Sequence, residues 1–497
     1  MPRHYWSYSK NTRKLAVLAM IFSMIAGAGL LTTAQTSAQQ NGQAAEKNKA
    51  AQAKTKKART ALAEKSSPTA PVPVAGKAAK KRPNLVLIIA DDQSYTDFGF
   101  MGHKVVQTPT IDKLASESAT FVNGYVPTSL CRASLATLLT GQYAHQHCIC
   151  FNDPPKGVER DEVHPFIARS PALPRILSTA GYKSFQTGKF WEGHYANAGF
   201  TNGMTVKGRH GDTGLAIGRE TMAPIAEFLD QSAGSPFFLW YAPMLPHTPH
   251  NPPASYVKEF AEKGLDPKTQ AYYATIKWFD DSVAALMKLL DERKLSDNTA
   301  ILFLVDNGWA VPLAGERAGY GVRSKNSPWD AGLRTPVLLK WPGHTQARRH
   351  DDLISSIDVV PTLLEIAGLG YSSAGLPGKS LLEVATGKSA KIDRDTLYGE
   401  LFLHTASQLG KPQVDMTYRW IRRGDWKLIL PTDVAAASSK NPAGGDSLNL
   451  IINSVDGPFL YNLKDDPTEK KNLAGEKDQQ ARVAELTKAL DKWLEDR

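Results

Sequence analysis

The sequence has few cysteines, which excludes a fold built on disulfides. Of 497 residues only Cys131, Cys148 and Cys150 are cysteine, too few for the framework of bridges found in small exported domains. The number is odd, so at least one thiol has no partner within the chain. The chain also lacks an internal repeat, which argues against a repeat architecture. At this length the chain can bury a large core and form more than one lobe.

The main part of the chain lacks a strong charge of one sign. The whole sequence carries +10, but residues 1–82 hold 15 lysines and arginines against 2 acidic residues, a net +13. Residues 83–497 therefore carry −3. A basic surface for nucleic acid is thus not expected on the body of the protein.

The N-terminus has the features of an export signal. Two basic residues precede an apolar run at residues 15–31, and small polar residues follow it. This order predicts a secretory signal peptide over residues 1–38, cleaved after Ala34 or Ala38. An uncleaved membrane anchor is the alternative, because the run approaches spanning length. No cysteine follows the run, which argues against a lipoprotein, and we expect a periplasmic or secreted protein that meets the membrane only through this signal.

Beyond residue 38 the composition changes twice. Residues 39–82 are rich in Ala, Lys, Gln and Pro with almost no large apolar residues, so they predict a flexible linker that cannot offset its ordering entropy by burial. Buried-strand candidates then alternate with helical patterns: strands at residues 85–90, 237–241, 300–305 and 337–339, and helices at 269–293 and 357–367. This alternation predicts an α/β fold with a mainly parallel central sheet sandwiched by helices.

The C-terminal part has a different pattern. Short apolar runs at residues 396–402, 420–430 and 459–463 are separated by charged turns, and an amphipathic helix at 481–494 ends the chain. We therefore expect a smaller antiparallel sheet with a closing helix over residues 369–497, separate from a main domain at 83–368.

Two predicted strands end in acidic residues. Asp91 and Asp92 follow the first strand, and Asp306 and Asn307 follow the strand at 300–305. Adjacent buried carboxylates repel each other and usually need a cation or strong hydrogen-bond donors. The carboxyl ends of parallel strands lie at one edge of a sheet, where such folds bind ligands. Three carboxylates and an amide oxygen predict a site for Ca²⁺, with Mg²⁺ as the alternative.

Residues 129–141 read Ser-Leu-Cys-Arg-Ala-Ser-Leu-Ala-Thr-Leu-Leu-Thr-Gly. A helix that begins near Cys131 places this side chain where backbone N–H groups favour an anion. The segment is similar to the signature Cys-x-Pro/Ala-Ser-Arg-x-x-x-Leu-Thr-Gly of the type I sulfatase family, in the alkaline phosphatase superfamily. Six further segments resemble the motifs of that family in the same order: 84–92, 108–115, 188–189, 246–249, 306–308 and 325–336.

The resemblance implies a chemistry for the site. A maturation enzyme would oxidise Cys131 to formylglycine, whose hydrated aldehyde attacks sulfur. Lys189 and Lys325 would bind the transferring group and His247 would protonate the leaving oxygen, as their charge and near-neutral titration allow. The implied metal ligands are Cys131 together with the four residues at the two strand ends, Asp91, Asp92, Asp306 and Asn307. The implied activity is hydrolysis of a sulfate ester, and a sulfated carbohydrate is the expected substrate of an exported enzyme.

The chain departs from the family pattern at two positions. Leu135 stands where the family has an arginine that supports the aldehyde, and Trp191 stands where it has a histidine that helps release sulfate. We hypothesise that Arg132, Glu192 and His194 compensate as substrate-binding residues. The departures keep two alternatives open. One is a phosphatase or phosphonate ester hydrolase of the same superfamily, and the other is a degenerate, sulfatase-like binding protein.

A second metal site is the weaker interpretation of a neighbouring segment. His145, His147, Cys148 and Cys150 place four soft ligands within six residues, which indicates zinc, but so short a spacing makes it hard to close one tetrahedron. A packed loop or the rim of the substrate pocket is the favoured interpretation. Other candidate pocket residues are Asp161, His164, Arg169 and His404.

Overall fold

The structure, a computed structural model, describes residues 82–311, 321–370, 376–440 and 457–495. The predicted signal peptide lies outside the described residues, as does the predicted linker apart from its last residue. Within the described ranges, no helix is both long enough and apolar enough to cross a membrane.

An eight-stranded sheet forms the centre of the fold. Its strands are β1 (Asn84–Ala90), β2 (Ala119–Tyr125), β3 (Lys183–Gly188), β4 (Asn202–Gly203), β5 (Phe237–Ala242), β6 (Thr299–Val305), β7 (Arg334–Lys340) and β8 (Arg348–Ser355). They lie in the order β4-β3-β5-β1-β6-β7-β2-β8. Neighbours are parallel except that β7 runs antiparallel to β6 and β2. The predicted mainly parallel sheet is confirmed.

Helices cover both faces of this sheet. In chain order they are α1 (Pro109–Ser116), α2 (Cys131–Thr140), α3 (Ala144–His147), α4 (Pro165–Arg169), α5 (Leu173–Ser178), α6 (Ala223–Gln231), α7 (Ala254–Lys258), α8 (Pro267–Glu292), α9 (Asp330–Leu333), α10 (Val359–Ile366) and α11 (Leu382–Ala385). α2, α5 and α10 pack in the apolar core on one face. α1, α6 and α8 pack in the core on the other face.

The central strand β1 shows why the sheet needs two helical layers. Every residue of β1 is buried. Leu85 and Leu87 belong to one apolar core, whereas Val86 and Ile88 belong to the other. Because successive side chains of a strand point to opposite faces, an uninterrupted apolar run is stable only where both faces are covered.

A second, four-stranded sheet follows. Its strands are β9 (Thr396–Phe402), β10 (Met416–Arg423), β11 (Trp426–Pro431) and β12 (Phe459–Asn462), in the order β12-β11-β10-β9. All pairs are antiparallel. α12 (Asp433–Lys440) follows β11, and α13 (Gln480–Glu495) packs Leu486 and Leu490 into the apolar core of this sheet. The predicted antiparallel sheet and closing helix are confirmed, but the apolar run at 420–430 is two strands, because a turn at Gly424 with positive φ interrupts it.

Candidate active site

The acidic residues that follow β1 and β6 lie next to each other. The two strands pair in register up to Ala90 and Val305, so the chain leaves the sheet at the same level on both. Oδ1 of Asp306 accepts hydrogen bonds from the backbone N–H groups of Asp92 (3.0 Å) and Asn307 (2.7 Å). The side-chain amide of Asn307 donates to Oδ1 of Asp92 at 2.6 Å. The parallel pairing therefore gathers the residues of both strand ends into one buried pocket.

Lys189 reaches this pocket from the end of β3. Its Nζ lies 2.5 Å from Oδ1 of Asp91 and 3.4 Å from Oδ2 of Asp306. The preceding Gly188 has a positive φ of 71°, and a Cβ there would lie 1.7 Å from the carbonyl oxygen of Ala242, so only glycine fits this turn. Burial alone would lower the pKa of Lys189, but Asp91 and its neighbours hold that pKa well above its usual value. Lys189 is therefore a buried, charged ammonium group.

Lys325 reaches the same pocket from the opposite side. Its Nζ lies 2.6 Å from Oδ2 of Asp92. The segment that carries Lys325 is tied to the start of α2, because the N–H of Asn326 donates to the carbonyl of Ser129 at 2.9 Å and the N–H of Ser327 donates to Oγ of Ser129 at 2.8 Å. Burial opposes the charge of Lys325, but Asp92 raises its pKa above the usual value. Each of the adjacent aspartates thus pairs with a different lysine.

Cys131 is the first residue of α2 and lies over the acidic pair. Its side chain is buried, with Sγ 3.9 Å from Oδ1 of Asp92. Burial raises the pKa of the Cys131 thiol to about 11, although Lys189 and Lys325 act in the opposite direction. The unmodified side chain is therefore a neutral thiol at neutral pH and a weak nucleophile, because the thiolate is the reactive form.

His247 lies between Asp92 and Lys325, on the loop that follows β5. Its Nε2 is 3.3 Å from Oδ2 of Asp92 and 3.4 Å from Nζ of Lys325. Nδ1 lies 2.5 Å from the carbonyl oxygen of Thr248, so Nδ1 carries a proton and donates it to that acceptor. Nε2 is then the ring atom that faces the pocket and can exchange a proton there.

The pocket also has the donor set of a cation site. Oxygen, nitrogen and sulfur atoms of Asp91, Asp92, Cys131 and His247 lie within 4.8 Å of one another. Two buried oxygens, Oδ2 of Asp91 and Oδ1 of Asn307, have no hydrogen-bond partner among the described residues. Unpartnered buried oxygens are costly in an apolar setting and are the ligands that Ca²⁺ and Mg²⁺ prefer. The residues therefore fit a hard divalent cation.

Asp306 adds a third buried carboxylate next to this group of possible cation ligands. Burial, and then repulsion from Asp91, raises the pKa of Asp306 well above its usual value. One of its oxygens already serves two backbone N–H groups, and the other approaches Lys189. The three carboxylates of Asp91, Asp92 and Asp306 thus outnumber the two lysines that neutralise them. Such an excess of negative charge is expected of a site that takes a further positive charge.

Arg132 and Glu192 form a buried ion pair next to Cys131. Nε and Nη2 of Arg132 lie 2.7 and 2.8 Å from the two carboxylate oxygens of Glu192. Nη1 of Arg132 is buried and has no hydrogen-bond partner among the described residues. His194 lies apart from this pair on the surface, where its Nδ1 accepts the N–H of Ala196 at the start of a 3₁₀ turn. Of the three residues hypothesised to compensate, the structure thus pairs two with each other.

The two residues at the departures from the family pattern are both buried. Leu135 packs in the apolar core on the α2 side of the sheet, as does Trp191. Neither side chain carries a charge, so neither can replace the cationic or proton-transferring residue that the family pattern has there.

His210 is a site residue that sequence reasoning missed. Its ring contacts Trp191 edge-on, with centroids 4.4 Å apart, and lies 6.0 Å from the ring of His247. The backbone of His210 has a left-handed φ of 69°, and its carbonyl accepts the N–H of Phe190 at 2.9 Å. No periodic pattern marks this loop; the signal would have been a histidine followed directly by Gly211 and, four residues after the histidine, by Gly214.

The four-residue segment considered for zinc serves other contacts. His145 pairs with Glu400 at 2.7 Å, and Nε2 of His147 lies 3.3 Å from Oγ1 of Thr137. Within the described ranges, the one group of three or more converging His, Cys, Asp or Glu side chains is the active-site group. The packed-loop interpretation therefore accounts for this segment.

The site combines a potential nucleophile at a helix N-terminus with two lysines and a cluster of carboxylates. This combination suits the ester of a tetrahedral oxyanion. The sulfatase family model matches residues 83–369, and the chain belongs to the sulfatase family. A model described as N-sulphoglucosamine sulphohydrolase, C-terminal, matches residues 319–434. The protein is therefore a sulfuric ester hydrolase, and the prediction of family and enzyme class is confirmed.

Individual relatives show the range of this family and fold. The chain is 27% identical to arylsulfatase A of Homo sapiens over 458 residues, which cover 81% of this chain and 85% of that protein. Its fold is similar to that of a protein solved in complex with its substrate D-glucosamine-2-N,6-O-disulfate (TM-score 0.62, 19% identity, 84% of this chain and 98% of that one). It is also similar to the phosphonate monoester hydrolase of Agrobacterium radiobacter (TM-score 0.63, 19% identity, 83% of this chain and 95% of that one).

Proposed function

We propose that the protein is an exported sulfatase that hydrolyses sulfate esters of a carbohydrate, using formylglycine made from Cys131 and a bound Ca²⁺. The observation that carries this proposal is the convergence of Lys189 and Lys325 on the carboxylates beside Cys131. A maturation enzyme that oxidises Cys131 is the implied partner. Three features at the start of the sequence support export: the basic residues, the apolar run and the small residues that follow the run.

The two lysines bind and polarise the sulfate group. Both ammonium groups lie within 3.4 Å of carboxylate oxygens in a buried pocket, so they are held in place before substrate arrives. Fixed charges in a site from which water is excluded stabilise developing negative charge without reorganisation. Asp91 and Asp92 orient these lysines and, with Asp306 and Asn307, would hold the cation. Formylglycine at position 131 would supply the nucleophile, and the cation would neutralise a sulfate oxygen.

His247 is placed to deliver a proton to the leaving alcohol. Its Nδ1–H is committed to the carbonyl of Thr248, so a proton taken up by the ring goes on Nε2, on the side of Lys325 and Asp92. A proton on Nε2 can pass to the oxygen of the departing alcohol, which raises the rate of bond cleavage. Asp92 stabilises the protonated ring during that step.

The decisive experiment has two readouts on the same purified, exported protein. Peptide mass spectrometry of the segment around Cys131 reports whether the thiol is converted to the aldehyde. Turnover of an aryl sulfate against the matching aryl phosphate reports the ester that is preferred. We expect conversion and a clear preference for the sulfate, both lost in Cys131→Ala.

The similarity to a phosphonate monoester hydrolase makes the related phosphoryl activity the second candidate. A preference for aryl phosphate would support it, because the same lysines and carboxylates suit either tetrahedral oxyanion. An unmodified thiol with no turnover of either ester would support a degenerate binding protein, as the uncharged Leu135 and Trp191 allow. Either result would reject the proposed sulfatase mechanism.

A further inference from the structure

A group of charged and polar residues that the hydrolytic mechanism does not use lies beside the active site. We refer to Asp153, Arg160, Arg209 and His404 as the Arg209 cluster; its two arginines lie over the buried ring of Trp191. Nε and Nη2 of Arg209 lie 3.1 and 3.0 Å from the two oxygens of Asp153. Arg160 approaches the same carboxylate through Nη2 at 2.6 Å. Two guanidinium groups thus share one acid.

The cluster carries an excess of positive charge. Nδ1 of His404 lies 3.5 Å from Oδ2 of Asp153, and burial lowers the pKa of His404 to about 4, so this ring is neutral at neutral pH. Among the ion pairs of the described residues, Asp153 is the one acid that either arginine contacts, and Glu192, next to Trp191 in sequence, is paired with Arg132. The two arginines therefore outnumber the acid available to them, and Arg209 is also partly exposed, with 42% of its side chain accessible. A solvent-facing cation without a full counter-charge attracts an anion.

The ring of Trp191 fixes the arginines in place. The guanidinium carbon of Arg209 lies 4.9 Å from the centre of this ring, and that of Arg160 lies 5.5 Å from it. Cation–π contact together with a two-point ion pair restrains the side chain of Arg209, so little rotamer entropy is lost when a ligand binds. Within the described ranges, Nη1 of Arg209 forms no hydrogen bond, which leaves part of the planar fork available.

Two short chains of contacts connect the cluster to the nucleophile. Asn152 accepts the N–H of Arg132, next to Cys131, at 3.0 Å, and its side-chain amide lies 3.1 Å from Nε2 of His404. On the other side, His210 lies between Trp191 and the ring of His247. The contacts through Asn152 and His210 thus place the Arg209 cluster beside both Cys131 and His247.

A purely structural ion pair looks different in this protein. Arg293 binds Asp230 through the same two nitrogens, at 2.7 and 3.0 Å. That pair has one acid for one arginine. It lies at the end of α8, away from the active-site pocket. The Arg209 cluster differs from such a pair in three ways. Its two arginines share one acid, they lie over the buried ring of Trp191, and they are close to the nucleophile.

We propose that Arg209, supported by Arg160 and Trp191, binds a second anionic group of the substrate beside the sulfate that is hydrolysed. Carboxylate and sulfate groups share the oxygen geometry that a guanidinium fork recognises. The substrate class is therefore a carbohydrate with at least two negative charges, the second being a further sulfate or the carboxylate of a uronic acid. This inference rests on the proposed sulfatase function.

The test measures inhibition of aryl sulfate hydrolysis by matched sugars. One pair is N-acetyl-D-glucosamine-6-O-sulfate and D-glucosamine-2-N,6-O-disulfate, in which a neutral N-acetyl group stands in place of the second sulfate. The other is a sulfated disaccharide with a uronic acid and its carboxyl-reduced form. We expect the more anionic member of at least one pair to inhibit wild type about tenfold better, as charge-assisted hydrogen bonds imply. The pair that shows the preference identifies the second group as sulfate or carboxylate.

Arg209→Gln should abolish that preference, and Arg209→Lys should retain part of it. Arg293→Gln, which breaks the pair of Arg293 with Asp230, should leave the preference unchanged. Equal inhibition by both members of both pairs in wild type would overturn the inference, as would a preference that survives Arg209→Gln. Absence of any aryl sulfate hydrolysis in wild type would instead reject the proposed function, so the two failures are distinguishable.

Discussion

Trp191 meets His210 edge-on, with the ring centroids 4.4 Å apart and the ring planes at 90°. The tryptophan occupies the sequence position at which the family pattern has a histidine, and it packs against a histidine that comes from another loop. A Cβ on Gly211 would lie 2.3 Å from the carbonyl oxygen of Gly188, and that close approach brings the His210 loop against the turn that carries Lys189. The loop thus places an imidazole in the active site from a different part of the chain.

We expect His210 to take part in turnover. Burial and the nearby lysines lower the pKa of His210 to about 2, so its ring is neutral at neutral pH and acts by hydrogen bonding. His210→Ala should reduce kcat on an aryl sulfate by about 10- to 100-fold, less than the roughly 10²- to 10⁴-fold that a group transferring a proton contributes. His210→Asn, which keeps a side-chain donor, should lose less.

The sequence-based alternative is tested in the same assay. His194→Ala removes the surface histidine that was hypothesised to compensate for Trp191. A large loss in His194→Ala with normal turnover in His210→Ala would reject the role of His210 and support His194.

The sequence predicted those parts of the site that are contiguous with buried strands. Asp91 and Asp92 follow an apolar run directly, and strand ends in a parallel sheet meet at one edge, so the convergence on Asp306 and Asn307 was expected. His210 and Asp153 were not predicted, because they come from loops whose course depends on close backbone packing, such as that of Gly211 against Gly188. No local pattern encodes that fit.

Several strands of the central sheet were not predicted because they contain no continuous apolar run. β8 reads Arg-Arg-His-Asp-Asp-Leu-Ile-Ser and lies at the edge of the sheet, so several of its side chains face solvent and no apolar run forms. β4 has two residues and also lies at an edge. β2 and β3 lie inside the sheet and were not predicted either; in β3 the buried polar residues Ser184, Gln186 and Thr187 interrupt any apolar run. Only uninterrupted apolar strands with both faces covered, such as β1, stand out in a single sequence.

The unpartnered oxygens of Asp91 and Asn307 predict that a divalent cation stabilises the folded protein. A ligand that binds only the folded state contributes about 2.7 kcal/mol at a hundredfold excess over its Kd. Adding Ca²⁺ after chelation should therefore raise the midpoint of thermal unfolding by several degrees. Asp91→Asn should remove this increase, whereas Asp230→Asn, at an exposed acid on α6, should keep it. An identical increase in both variants would place the ion elsewhere.

The buried pair of Arg132 and Glu192 predicts a strong coupling between two substitutions. Arg132→Met leaves the carboxylate of Glu192 buried without its partner, which should cost about 3–5 kcal/mol in the free energy of unfolding. Combining it with Glu192→Met removes both charges and should restore most of that loss, because a buried ion pair can often be replaced by apolar residues. Urea unfolding of the four proteins measures the coupling.

Turnover of the same double variant separates two roles for Arg132. If Arg132 only orients Glu192 and the start of α2, activity returns together with stability. If its guanidinium contacts the substrate, activity stays low in a protein that is folded and stable. Equal losses of stability in the single and double variants would contradict the predicted coupling.

Asp97 predicts a defined dependence of stability on pH. Burial raises its pKa from 3.8 to about 6, although hydrogen bonds from Tyr272 and Thr96 act in the opposite direction. Between these two values the folded protein keeps a proton that the unfolded chain has released, so the free energy of unfolding falls as the pH rises from about 4 to about 6. Asp97→Asn keeps an oxygen that can accept the Tyr272 hydroxyl but cannot ionise. Relative to wild type, the free energy of unfolding of Asp97→Asn should therefore gain about 1–3 kcal/mol across that interval.

Urea unfolding at both pH values measures the difference, with Asp161→Asn, at an exposed carboxylate, as the control. A constant difference between Asp97→Asn and wild type at the two pH values would show that Asp97 ionises alike in the folded and unfolded chains.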